Sequence, residues 1–130
     1  MSQIYFRHES LREQQKSLIE DAYGAIEGKE NLLAHAPVGL GKTDSLLSPA
    51  ISYAIEHNKT VFFLTPKISQ HRIAMDVVLG LEKKYELDLR AVDLIGRKYA
   101  CIDPILADQD SEGFYQSCER KRKKAKMPLN

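Results

Sequence analysis

Ala36-Pro37-Val38-Gly39-Leu40-Gly41-Lys42-Thr43 is the stretch on which the reading of this chain turns. It follows a short apolar run, Asn31 to His35, and precedes a segment with helical character, Asp44 to Ile55. The order is therefore strand, glycine-rich loop, helix, which is the context a phosphate-binding loop requires. Gly39 and Gly41 let the backbone turn tightly and approach a ligand with no Cβ in the way, so that successive N–H groups converge on one anion. The helix that follows aims its unpaired N–H groups and positive dipole end at the same point. In that geometry Lys42 neutralises the outer phosphates of a nucleotide, and the Thr43 hydroxyl is placed to ligate magnesium. The competing reading is a glycine turn that happens to contain a lysine.

Working outward from the loop, the pattern of apolar residues predicts alternating elements. Ser10-Leu11-Arg12-Glu13 has the spacing of a capping box, which predicts a helix start at that point. Leu11, Gln15, Leu18, Ile19, Ala22 and Ile26 share one helical face, with Gly28 as the stop. Arg12 and Gln15 are open to two readings. They are solvated polar residues of a helix surface, or they serve the nucleotide, the glutamine amide offering a donor and an acceptor to the adenine edge while Tyr5 and Phe6 cover the base.

Downstream of the loop helix, Val61-Phe62-Phe63-Leu64 is continuous, β-branched and aromatic, as in a buried strand, and Pro66 closes it. Ile73, Val77, Leu81 and Tyr85 then mark a helix, and Leu89 to Leu94 a further strand. Alternating strands and helices imply a parallel sheet with ligands beyond the carboxyl ends of its strands. Thr65, Lys67, Ser69 and Gln70 fall at such an end. They either hold a nucleic-acid backbone or form an ordinary polar loop capped by Ser69.

The pattern changes at Gly96. An acidic stretch from Asp103 to Glu112 separates Cys101 from Cys118, and a basic run begins at Arg120, with six Lys or Arg by Lys126. Residues 1–95 thus read as one domain and residues 96–130 as the start of an insertion that builds little core alone. The two cysteines, with no C-x-x-C pair, are either buried thiols or metal ligands. The basic run is either a solvated helix end or an attractor of phosphates.

Composition narrows the classes. A hydrophobic fraction of 43% suits a globular core, and a net charge of +1 over 130 residues leaves any nucleic-acid footprint local rather than global. No apolar run spans a bilayer and the N-terminus lacks a signal-peptide pattern, which predicts an intracellular protein without a membrane partner. That setting argues against a disulfide and makes Asn58-Lys59-Thr60 a chance glycosylation triplet.

Taken together, R-x-x-Q at Arg12 and Gln15, APVGLGKT at 36–43, LTPKISQ at 64–70, GRKYACIDP from Gly96 and FYQSCERKRKK from Phe114 resemble the start of the XPD-type iron–sulfur DNA helicases of superfamily 2, above all the archaeal members. The resemblance covers nearly the whole chain. It implies an α/β fold, with a RecA-like parallel sheet flanked by helices forming the first part of the first motor domain, followed by the start of an iron–sulfur insertion. It implies the ATP-binding portion of an ATP-dependent 5′ to 3′ helicase acting on single-stranded or forked DNA in repair or related metabolism. The location is then cytoplasm or nucleoid in an archaeon and nucleus in a eukaryote.

By the same resemblance, Gln15 with Arg12 serves adenine, Ala36 to Thr43 hold ATP, Lys42 and Thr43 are catalytic, and Thr43 carries magnesium. Thr65, Lys67 and Gln70 contact DNA. Cys101 and Cys118 are the first two ligands of a four-iron four-sulfur cluster, which needs four thiolates. The chain holds only two cysteines and lacks the acidic box and second motor domain of the family, so it is expected to be an N-terminal fragment that partners the remainder of the helicase or a repair complex. On its own it is expected neither to unwind DNA nor to hydrolyse ATP at a helicase-like rate. The alternative is a stand-alone nucleotide-binding or regulatory module.

Overall fold

Leu18, Ile19 and Ala22 on the first amphipathic segment, and Val77 and Leu81 on the third, are buried in the computed structural model, which describes residues 3–125. They fix the inward faces of α1 (Glu13–Gly28) and α3 (Ile68–Tyr85), and both helices pack against α2 (Lys42–His57). Leu47 and Ile51 of α2 meet Ala74, Val77 and Leu81 of α3 in the core, with Tyr5, Tyr85, Leu87 and Leu89 packed around them. Residues Met1–Asp93 form one compact unit and Leu94–Asn130 a second.

The helix start expected at Ser10 lies at Glu13 instead. Arg12 is the N-cap, and its N–H donates to the Gln15 side-chain oxygen at 3.1 Å. The glutamine thus performs the reach-back that the capping-box reading gave to Glu13. All three long helices of this unit end in a left-handed residue, Lys29, Asn58 and Glu86, and the next N–H bonds back into the last turn, as when Glu30 N–H donates to the Ala25 carbonyl at 2.8 Å.

The expected sheet is not there. Among the described residues there are five helices and no strand, so the α/β, RecA-like parallel arrangement is corrected to an all-helical one. The segments read as strands carry no strand pairing, and several of their apolar residues face solvent: Leu33 is 100% exposed, Phe62 80% and Leu64 88%, while Leu89 packs against the core. The physical reason is that an apolar run encodes only a demand for burial. A strand also requires a neighbour on which to form its ladder of hydrogen bonds, and no backbone ladder joins these segments.

The second unit is built on α4 (Pro104–Ala107) and α5 (Ser111–Ala125), with Leu106 and Phe114 buried. Residues 96–130 read as the start of an insertion that builds little core alone, yet within them α5 runs for 15 residues. Its signal was electrostatic rather than apolar. The Asp110 carboxylate accepts from the Gly113 N–H at 2.8 Å and Glu112 sits in the first turn, while the basic run lies at the dipole's negative end. Of that run, Lys126 lies outside the described residues. Among the described residues no helix is long and apolar enough to cross a membrane.

Candidate nucleotide site

Between α1 and α2 the chain makes the loop that the sequence singled out, and its glycines are used as such. Gly39 and Gly41 have φ of +86° and +79°, a region costly for any residue with a side chain. Gly41 is also the N-cap of α2 and provides no side chain to close the helix end, so the first N–H groups of α2 have no side-chain cap. The Gly41 carbonyl accepts from Ser45, from its N–H at 3.0 Å and its hydroxyl at 3.2 Å, which seats the loop on the helix.

Three side chains hold the loop by its carbonyl oxygens. Arg12 Nη1 donates to Gly39 O at 3.2 Å, and Gln15 Nε2 donates to Leu40 O at 2.8 Å. Lys42 Nζ folds back onto its own loop, donating to Pro37 O at 2.8 Å and Ala36 O at 3.1 Å. Turning the carbonyls onto these donors leaves N–H groups for an incoming anion, which is how a bent main chain becomes an anion receptor. The Lys42 ammonium, exposed and held only by two carbonyls, is free to exchange them for phosphate oxygens. Thr43, half-buried in the first turn of α2, carries the hydroxyl suited to a magnesium ion.

The structure thus brings Arg12, Gln15 and residues 36 to 43 together. It gives Gln15 a different immediate task from reading a base. The residue is 8% exposed, with its amide oxygen bound to Arg12 N–H and its amide nitrogen to the loop. Phe6 is buried at 5% exposure, and the Tyr5 ring packs edge-on to Tyr85 with centroids 5.0 Å apart, so these aromatics build core rather than an open platform for a base.

Thr65, Lys67 and Gln70 lie together where the extended segment enters α3. The Thr65 hydroxyl donates to the Gln70 side-chain oxygen, and Lys67 N–H donates to the Thr65 hydroxyl at 3.3 Å. Lys67, not Ser69, is the N-cap of α3. One helical turn on, His71 Nδ1 meets the Asp93 carboxylate at 2.5 Å.

Sequence reasoning missed the residues that tie the N-terminal segment to this site. Arg7 grips Asp44, in the first turn of α2, through Nε to Oδ1 and through Nη2 to Oδ2 at 3.0 Å, and His8 Nε2 lies 3.3 Å from Asp44 Oδ1. Lys84 of α3 donates to the carbonyls of Phe6 at 2.9 Å and His8 at 2.8 Å. Their only signal was an arginine and a histidine directly after a buried aromatic, with an acid directly after the loop.

In the second unit, Cys101 and Cys118 are both half-buried free thiols, and Cys101 Sγ donates to the Asp103 carbonyl at 3.7 Å. Among the described residues no group of three or more His, Cys, Asp or Glu side chains is disposed to hold a metal ion. Two thiols are half of the donor set a four-iron cluster needs, so these residues alone do not fit that group. Asp103 caps α4, accepting from Ile105 N–H at 3.1 Å and Leu106 N–H at 3.2 Å, and Lys121 reaches it at 2.5 Å. The Lys121 ammonium above all, then the Leu106 N–H, holds the Asp103 carboxyl below the ordinary aspartate range. Lys123 does the same to Glu119.

A loop of this shape at the start of a helix defines a candidate nucleotide-binding protein, and comparison with known proteins agrees in class. The chain is 42% identical over 65 residues to a probable ATP-dependent helicase of Methanocaldococcus jannaschii, covering 50% of this chain and 10% of that protein. It is 34% identical over 108 residues to the ATP-dependent DNA helicase DinG of Escherichia coli K12, and equally to that of Salmonella typhimurium, covering 81% of this chain and 15% of those proteins. The chain is thus distantly and partially homologous to ATP-dependent DNA helicases, and spans 15% or less of the length of these relatives. No family model matches the chain. No solved structure matches it.

Proposed function

We propose that this chain is the ATP-binding portion of an ATP-dependent 5′ to 3′ DNA helicase of the XPD type. The observation that carries the reading is the loop at 36–43, with both glycines left-handed and its carbonyls held by Arg12, Gln15 and Lys42, in a chain homologous to DNA helicases. ATP would supply the phosphoryl group and magnesium positive charge to offset its phosphates. Residues 36 to 43 surround the phosphates, with main-chain N–H groups of the loop, Pro37 excepted, as donors, while Lys42 neutralises them and Thr43 offers its hydroxyl to the metal.

Arg12 and Gln15 keep the loop in register and lie beside the place where adenine would enter. Thr65, Lys67 and Gln70 contact the DNA backbone from the N-terminus of α3. Cys101 and Cys118 would supply two of the four thiolates that an iron–sulfur cluster needs, in a protein that works inside the cell on single-stranded or forked DNA.

The test is fluorescence anisotropy of a labelled single-stranded oligonucleotide with and without magnesium ATP. The reading predicts salt-sensitive binding weakened by Lys67→Ala and altered by nucleotide. DNA affinity indifferent both to Lys67→Ala and to ATP would contradict it.

A further inference from the structure

Asp44 poses an electrostatic problem. It is 6% exposed and follows Lys42 and Thr43 directly, so a carboxylate is buried in the first turn of α2, the helix end to which the nucleotide reading assigns the phosphates. A carboxylate there suits the helix dipole when the site is empty, but opposes a triphosphate when the site is filled.

Arg7 answers it with a two-pronged grip, Nε on one carboxylate oxygen and Nη2 on the other at 3.0 Å, while Nη1 donates to the Asp76 carbonyl of α3 at 3.1 Å. The arginine stem lies over Gly80 of α3, where an added Cβ would come within 2.8 Å of Arg7 Cδ and 3.3 Å of its Cβ. The stem therefore passes where α3 has no side chain. The groups facing Asp44 are Arg7 and His8, the latter at 3.3 Å, and Lys84 fixes the backbone on both sides of Arg7.

We propose that Arg7 is a positioning residue of the nucleotide site: it neutralises Asp44 and locks the first turn of α2 to α3, so that the phosphate end of the helix meets its ligand with the carboxylate's charge cancelled. The inference rests on the nucleotide reading above. It assigns the N-terminal segment an electrostatic role in setting affinity for polyphosphates, felt more strongly as phosphates are added. A merely structural tie would not have that dependence.

The experiment is a double-mutant cycle on the full chain, titrating magnesium ATP and magnesium ADP into wild type, Arg7→Met, Asp44→Asn, the double variant and Lys42→Ala, with folding checked by far-UV circular dichroism. Arg7→Met is expected to weaken ATP by about tenfold, the scale of one uncompensated charge near a polyanion, and ADP by less. Asp44→Asn is expected to tighten ATP, and the double variant to return within about threefold of wild type.

Arg7→Met binding both nucleotides like wild type, equal losses for ATP and ADP, or a double variant as weak as Arg7→Met overturns the inference. If Arg7→Met does not fold, the remaining comparison decides: tightening in Asp44→Asn supports the inference, and its absence overturns it. Should wild type fail to bind, or Lys42→Ala bind as well as wild type, the loop reading itself falls and takes this inference with it. Loss of binding in Lys42→Ala beside an indifferent Arg7→Met removes this inference alone.

Discussion

The Gln15 amide nitrogen lies 2.7 Å from the point where a β-carbon on Gly41 would stand. The two residues are thus fitted to each other: the glycine leaves the room through which the glutamine reaches the Leu40 carbonyl. Gly41→Ala should fail twice, once through its φ of +79°, costing about 1–2 kcal/mol, and again by displacing the amide. Gln15→Ala should cost about 1–3 kcal/mol by leaving the Leu40 carbonyl without its donor. Urea unfolding of both variants measures this, and stabilities equal to wild type would refute the fit.

Gly80→Ala is a second test with an unusual sign. In an ordinary helix interior that change is favourable by about 0.5–1 kcal/mol. Here the new methyl group meets an arginine stem whose two ends are both fixed, so thermal unfolding should show no gain and a net loss. A clear rise in the midpoint would mean that Arg7 moves aside freely.

These fits show what the sequence could and could not disclose. The loop's shape was legible because its signal is local: two left-handed glycines and the start of α2 fall within eight residues. The faces of α1 and α3 were legible because Leu18, Ile19, Val77 and Leu81 repeat with the helical period. Gln15 was picked out, but its partner was not, since a glutamine amide reads equally as base contact or loop support. The Arg7 and Asp44 pair joins residues far apart in sequence and leaves no periodic trace. The strands were over-read from Val61 to Leu64, because hydrophobicity says that a segment demands cover without saying what provides it.

That uncovered surface has a consequence of its own. Phe62, Leu64 and Val92 are 80%, 88% and 79% exposed, a large apolar exposure for a soluble monomer. The isolated chain should bind a hydrophobic dye and self-associate with rising concentration, and Phe62→Ser with Leu64→Ser should reduce both. Analytical ultracentrifugation showing a monomer at every concentration, without dye binding, would count against this.

Acid should loosen the second unit. The carboxyl of Asp103 is held below its ordinary range, so its contribution to stability is complete above the unfolded-state pKa and is lost as pH falls through the lower folded-state value. The NMR signals of the Ile105 and Leu106 amides, which donate to Asp103, should shift only below the usual aspartate range, and Asp103→Asn should abolish that step. Titration within the usual range would show that Lys121 is not its partner in solution.

The most direct measurement is calorimetric titration of magnesium ATP into the wild-type chain and into Lys42→Ala. The account predicts saturable one-to-one binding to wild type, and none to a Lys42→Ala variant whose helical circular dichroism is unchanged. Equal affinity in the two proteins, or no heat from either, would contradict it.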